Sequence, residues 1–291
     1  MIWDLLISGV CLGLLFGLVA IGYSLIWSTM TLLHFAHGEF VTAGAFAALT
    51  LVGLRGLSGW PVAVMVLVAI GVGCLGLVVE RSAYRPIPRH SFSARIIATV
   101  GIGEMLRSSF ALIWGPRSFP LPEGFFAGPP IRISGLFIPP AYYWILGVCA
   151  VLVGALIFLL YSTKLGLGLR AVSKRADIAE LMGVNSNAMY VTSFFLGSAV
   201  AGVTGILIAP ITFINYHLGV AIGIKGFAAS VVGGFGNFSG AVVGGLVLGL
   251  TESLGAWFFP AYKDVIVFLV LILAMWLKPH GLFGKAEVQK V

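Results

Sequence analysis

Long uncharged stretches set the plan of this chain. They run over 5–38, 56–79, 133–163, 181–224 and 226–251. Each can hold a transmembrane helix, which needs about 20 apolar residues to cross a hydrocarbon core of about 30 Å. Period-2 alternation is weak, and the segments exceed the roughly 9–11 residues of an outer-membrane strand. The pattern therefore predicts helices over 5–28, 38–57, 61–80, 96–114, 141–161, 190–212 and 262–278, with a broken segment at 225–257. The expected fold class is all-α: one transmembrane domain over 1–291, a polytopic helix bundle of about eight membrane segments including a broken or re-entrant pair.

Basic residues orient the bundle. They gather as Arg81, Arg85, Arg89 and Arg95, as Lys164, Arg170, Lys174 and Arg175, and as Lys278, Lys285 and Lys290. The opposing loops hold only Arg55, Arg117, Arg132 and Lys263. Loops rich in Lys and Arg stay in the cytoplasm. The N-terminus is therefore expected outside, the C-terminus in the cytoplasm, loop 115–140 outside and loop 162–188 in the cytoplasm. On that count, 213–261 begins and ends outside, either as a re-entrant hairpin or as two crossings. Gly236-Asn237 supplies a turn. The stretch 225–257 is short for two spans and a loop, so two half-helices meeting near Gly236 are expected.

Composition agrees with a membrane protein. Charged residues make up 9% of the chain, against roughly 25% in a soluble domain. The net charge of +7 belongs to loops beside spans and does not indicate a nucleic-acid surface. Met1–Asp4 lacks a positive n-region, and the run after it is longer than an h-region of about 7–15 residues, so a cleaved signal is not expected. Cys11, Cys74 and Cys149 lie in apolar segments at spacings that match no metal or disulfide pattern.

Candidate chemistry is sparse. The P-loop pattern is missing: Gly284-Lys285 is followed by Ala, and Pro279 stands where the first glycine belongs. No catalytic residue and no metal site are expected. His34, His37 and Glu39 could in principle ligate a metal or serve an intramembrane enzyme. The preferred reading is a helix-turn-helix at the membrane surface, with Glu39 at the favourable end of the next helix dipole. Glu104 and Arg107, three apart inside a span, are expected to pair, because charge at membrane depth is costly. Glu80 and Glu252 are expected near span ends, where long side chains reach water. His37, Glu39, Glu104, Arg107 and Asn237 are the candidate lining of a solute path. Gly9, Gly13 and Gly17, and Gly236, Gly240 and Gly244, form faces for close helix packing, within the bundle or, for the first set, against another subunit. Loop 115–140 carries seven prolines. They block a regular helix and suit a rigid docking surface.

The most informative stretch is 161–191. A basic loop, Lys164 to Arg175, is expected to lead into a short amphipathic helix, Ala176 to Met182, ending at Gly183. One short helix exposed between two long spans is a handle for another protein.

Four stretches together resemble the permease subunits of branched-chain amino acid ABC importers. They are F-G-L-V-A-I-G-Y-S-L-I-W-S-T at 16–29, L-H-F-A-H-G-E-F-V-T-A-G-A-F at 33–46, S-K-R-A-D-I-A-E-L-M-G-V-N at 173–185, and the glycine-rich run G-I-K-G-F to L-T-E-S at 223–253. The resemblance covers roughly 9–284, and importers of urea, short amides and neutral amino acids share it. It implies a multi-pass subunit of a bacterial or archaeal plasma (inner) membrane that forms the path for such a solute. It also implies partners: a second permease, often a different chain, two cytoplasmic ABC ATPases and an external solute-binding protein. ATP and Mg would be bound by the ATPases, with no cofactor and no enzyme activity in this chain. The family's coupling motif falls on Ala176, Ala179, Glu180 and Gly183, with Arg175 and Asp177 in the same segment. Glu104 and Arg107 stand where leucine-type permeases are expected to be uncharged, which points to a more polar solute. The alternative is an ATP-independent secondary transporter or channel, where broken helices also occur.

Overall fold

A computed structural model describes residues 2–87, 91–122, 124–133 and 136–284. Arg89, Lys285 and Lys290 lie outside the described residues. The chain runs α1 (Ile2–Met30), α2 (His37–Arg55), α3 (Pro61–Val79) with a π-turn through Tyr84, and α4 (Phe92–Trp114). A two-stranded antiparallel hairpin follows, β1 (Ile131–Ile133) with β2 (Leu136–Ile138), pairing Ile131 with Ile138. Then come α5 (Pro140–Ser162), α6 (Lys164–Lys174), α7 (Ala176–Leu181), α8 (Ser186–Ile208), α9 (Leu218–Gly233), α10 (Phe238–Phe258) and α11 (Lys263–Leu277). Among the described residues, seven helices are long and apolar enough to cross a membrane: α1, α3 with its π-turn, α4, α5, α8, α10, and α11 counted from Pro260.

Local sequence explains the boundaries. Pro61 and Pro140 open α3 and α5, where a missing N–H costs nothing. The Asn185 side chain accepts from Ala188 N at 3.0 Å, so α8 begins earlier than expected, and it ends shortly before Pro210.

The centre of the bundle is α1 against α10, flanked by α2, α8 and α9. Gly13 faces Leu246 so closely that a Cβ there would lie 2.7 Å from the Leu246 Cα. Gly9 and Gly17 meet Leu250 and Val242 in the same way. The small face of the first helix is therefore spent within the chain and does not form a subunit interface. Gly240 and Gly244 close α10 onto α9, against Gly233 and Ala229. Helices can approach this closely only where side chains are absent. By contrast α11 is peripheral, with Val267 its one buried residue among those described.

Three expectations need correction. The segment Lys164–Lys174 is a helix rather than a loop. Thr163 caps it, accepting from Gly166 N at 3.1 Å, and Gly166 lets it press against the last turn of α5; these contacts outweigh the low helix propensity of its two glycines. The turn of the broken pair falls at 234–237, as expected, with Gly236 at φ 80°. Its limbs are not half-helices, however: α10 spans 21 residues and α9 begins at Leu218, seven residues before the expected edge. Glu252, expected near a span end, is buried inside and bonds Lys225 at 2.6 Å. Glu80 does stand in the closing turn of its span, but it is buried rather than reaching out to water.

The two ends of the bundle differ. At one, Phe119 exchanges backbone hydrogen bonds with Ile214, both at 2.8 Å, joining the proline-rich segment to the stretch before α9. At the other lie α6, α7, the 234–237 turn and the chain after α11. There Leu282 N donates to Val232 O at 2.8 Å and Phe283 N to Gly233 O at 3.1 Å.

Candidate functional site

The short helix α7 stands on a firm base. Ala179 is buried with Val172 of α6 and Tyr190 of α8. Gly183 closes the helix at φ 84°, the left-handed conformation that glycine adopts without steric cost. With Ala179 facing in, the remaining apolar residues face out. Leu181 is 88% exposed and Met182 80%, and Ile178 is exposed beside them. Arg175 and Asp177 are exposed and pair at 3.1 Å, which holds the Asp177 carboxyl below its usual range. Glu180 and Gly183 are exposed and Ala176 is half-buried. The six coupling candidates thus occupy one compact protrusion with an uncovered apolar tip.

A second feature lies inside the bundle. Glu39, in the first turn of α2, is buried. Its Oε1 accepts from Arg107 Nε at 3.3 Å and Nη2 at 3.1 Å, and its Oε2 accepts from Thr42 Oγ1 at 3.3 Å. Thr42 Oγ1 in turn accepts from Gly219 N at 2.8 Å, which ties in the start of α9. Arg107 Nη1 donates to Glu104 Oε2 at 2.9 Å. The expected Glu104–Arg107 pair is therefore present, and Arg107 also reaches a carboxylate 68 positions away. Side-chain exposure rises along the row: 3% for Glu39, 25% for Arg107 and 65% for Glu104.

His37 sits beside Glu39 in α2, fully buried, its ring 4.6 Å from that of Tyr23. Neither of its ring nitrogens has a hydrogen-bond partner among the described residues. His34 Nδ1 bonds the Tyr84 hydroxyl at 2.9 Å. Asn237 does not join this cluster. It caps α10, accepting from Gly240 N at 2.9 Å, and donates to Phe283 O at 3.1 Å. There it borders a cleft of ≈ 870 Å³ with Ser28, Tyr161, Arg170 and Lys174.

Sequence reasoning missed one ionic cluster. Lys225 Nζ contacts Glu252 Oε1 at 2.6 Å and Asp264 Oδ1 at 2.9 Å, linking α9, α10 and α11. The available signal was Lys225 itself, a lone cation within an apolar, glycine-rich run.

Seven helices long and apolar enough to cross a membrane, packed around buried ion pairs, define a polytopic membrane protein. The model of the family "Branched-chain amino acid transport system / permease component" matches residues 5–275, and the chain belongs to that family. It is 34% identical to the high-affinity branched-chain amino acid transport system permease protein LivH of Escherichia coli, over 98% of this chain and 96% of the relative. It is 32% identical to the corresponding BraD of Pseudomonas aeruginosa, over 98% and 97%. The autoinducer 2 import system permease protein LsrC of Escherichia coli is 30% identical over 62% of this chain and 50% of its own length. No solved structure matches.

Proposed function

We propose that this chain forms half of the translocation path of an ATP-driven importer for branched-chain or other neutral amino acids. The near-full-length relatives bear branched-chain names, whereas the autoinducer permease shares a shorter stretch. Urea and amides are the less supported cargoes. The chain works beside a second permease, a different polypeptide, with two ABC ATPases that bind ATP and Mg, and with a solute-binding protein outside. Its N-terminus faces outside and its C-terminus the cytoplasm, following the distribution of basic residues. Docking of α7 into an ATPase would carry nucleotide-driven closure into α6 and α8. Coupling of this kind needs an element whose two positions both sites bias.

The observation that carries this reading is the exposed tip Ile178–Leu181–Met182 on an otherwise anchored helix. An apolar patch rimmed by charge marks a protein contact. Leu181→Glu is expected to abolish co-purification of the ATPase subunits with the permease while the chain still inserts and folds. Undiminished co-purification from native membranes refutes the docking assignment. Family membership disfavours a secondary transporter; uptake that persists after ATP depletion would restore that reading.

A further inference from the structure

We propose that Glu104 and Arg107 form a subsite for the paired charges of a zwitterionic α-amino acid with an apolar side chain, and that Glu39 is the fixed counter-charge holding Arg107 in place. This rests on the reading of the chain as an amino acid permease.

Charge is the first argument. The row holds two carboxylates and one guanidinium, and the excess negative charge lies at the exposed end, on Glu104. Glu104 lies near the middle of α4, a helix long and apolar enough to cross a membrane. A carboxylate there is costly against lipid and calls for a polar or cationic neighbour. Its surroundings on α4 supply no second cation beside Arg107: Val100, Gly101, Met105 and Ser108 are the exposed neighbours.

Geometry is the second. Arg107 commits Nε and Nη2 to Glu39, and only Nη1 to Glu104. Glu39 is locked by Thr42 and through it by α9, so the guanidinium keeps its position when Glu104 leaves. In an α-amino acid the ammonium and carboxylate flank one carbon, a separation comparable to the 2.9 Å contact between Nη1 and Oε2. An entering solute can place its carboxylate on Nη1 and its ammonium on the released Glu104. One ion pair becomes two, and no proton moves. Val100 and Met105 offer apolar surface to the side chain. An uncharged solute such as urea could not make this exchange.

The test uses the assembled importer in ATP-loaded proteoliposomes with leucine as the probe. Glu104→Gln is expected to cut leucine uptake by about tenfold or more, with Glu104→Asp retaining most of it. To separate binding from folding, Glu104→Cys is built with Cys74→Ser, since Cys11 and Cys149 are buried. A membrane-impermeant trimethylammonium thiosulfonate should label it, and leucine supplied with the binding protein should slow labelling by about threefold or more. Absence of labelling, or labelling indifferent to leucine in an importer that moves leucine, overturns the subsite and leaves the permease reading standing. A wild-type importer that takes up no neutral amino acid overturns both.

Discussion

Arg107 holds one carboxylate buried inside the bundle and another on the bundle's outer face. The two are not equivalent energetically. Losing the partner of a buried carboxylate costs about 3–5 kcal/mol, whereas an exposed pair contributes about 0–1 kcal/mol. Arg107→Leu is therefore expected to lower the melting temperature of the detergent-purified chain sharply, and Glu39→Gln added to it should restore most of the loss. A single variant that melts like the parent contradicts the assigned burial. The i,i+3 pair Glu104–Arg107 was legible because helical spacing alone brings its members together. The Glu39–Arg107 bond was not, since 68 residues and two turns separate its ends. The same logic explains why the capping role of Asn237 was not read. A lone Asn beside Gly236 carries the marks of a cap as much as of a solute ligand, and the structure uses it as a cap.

At the level of elements, the uncharged runs predicted nearly every long helix, because twenty apolar residues leave the backbone little alternative in a bilayer. The errors fell where charge is internal. Glu252 was expected to reach water near a span end but is the partner of Lys225 across α9 and α10. Lys225→Met should therefore destabilise the bundle more than Asp264→Asn, because Glu252 is buried and Asp264 is 58% exposed; thermal unfolding of both variants checks the order. Glycines offer a similar contrast. A side chain at Gly249 would run into the backbone of Gly13, so Gly249→Leu is expected to cost about 3 kcal/mol or more as α1 and α10 are pushed apart. Gly53 has nothing nearby, and Gly53→Ala should be neutral or stabilising by up to about 1 kcal/mol. Equal effects of the two substitutions would remove α1–α10 from the centre of the fold.

For the molecule as a whole, the unequal ends follow from unequal sequence. Prolines stiffen one end, and basic residues with a helix-capping Thr build the other. The motif at 173–185 located the short helix because its apolar residues outnumber the positions it can bury. What the sequence hid was the platform beneath: α6 reads as a loop until Gly166 is seen against the end of α5. That platform makes a further expectation concrete. Gly166→Val should weaken ATPase co-purification as strongly as Leu181→Glu does, although it touches no exposed surface, because α7 would lose the fixed angle set by α6. Normal co-purification would show that α7 docks independently of its support.

The two hydrogen bonds that the backbone N–H groups of Leu282 and Phe283 donate to the last carbonyls of α9 have a temporal consequence. A ribosome delivers the hairpin of α9 and α10 well before it delivers these residues, so the hairpin enters the bilayer with Val232 and Gly233 still facing open ground. Only when synthesis passes residue 283 can the latch engage. Chains ended by a stop codon after Gly281 and released should accordingly be cut by protease near 234–237, and full-length chains should be spared.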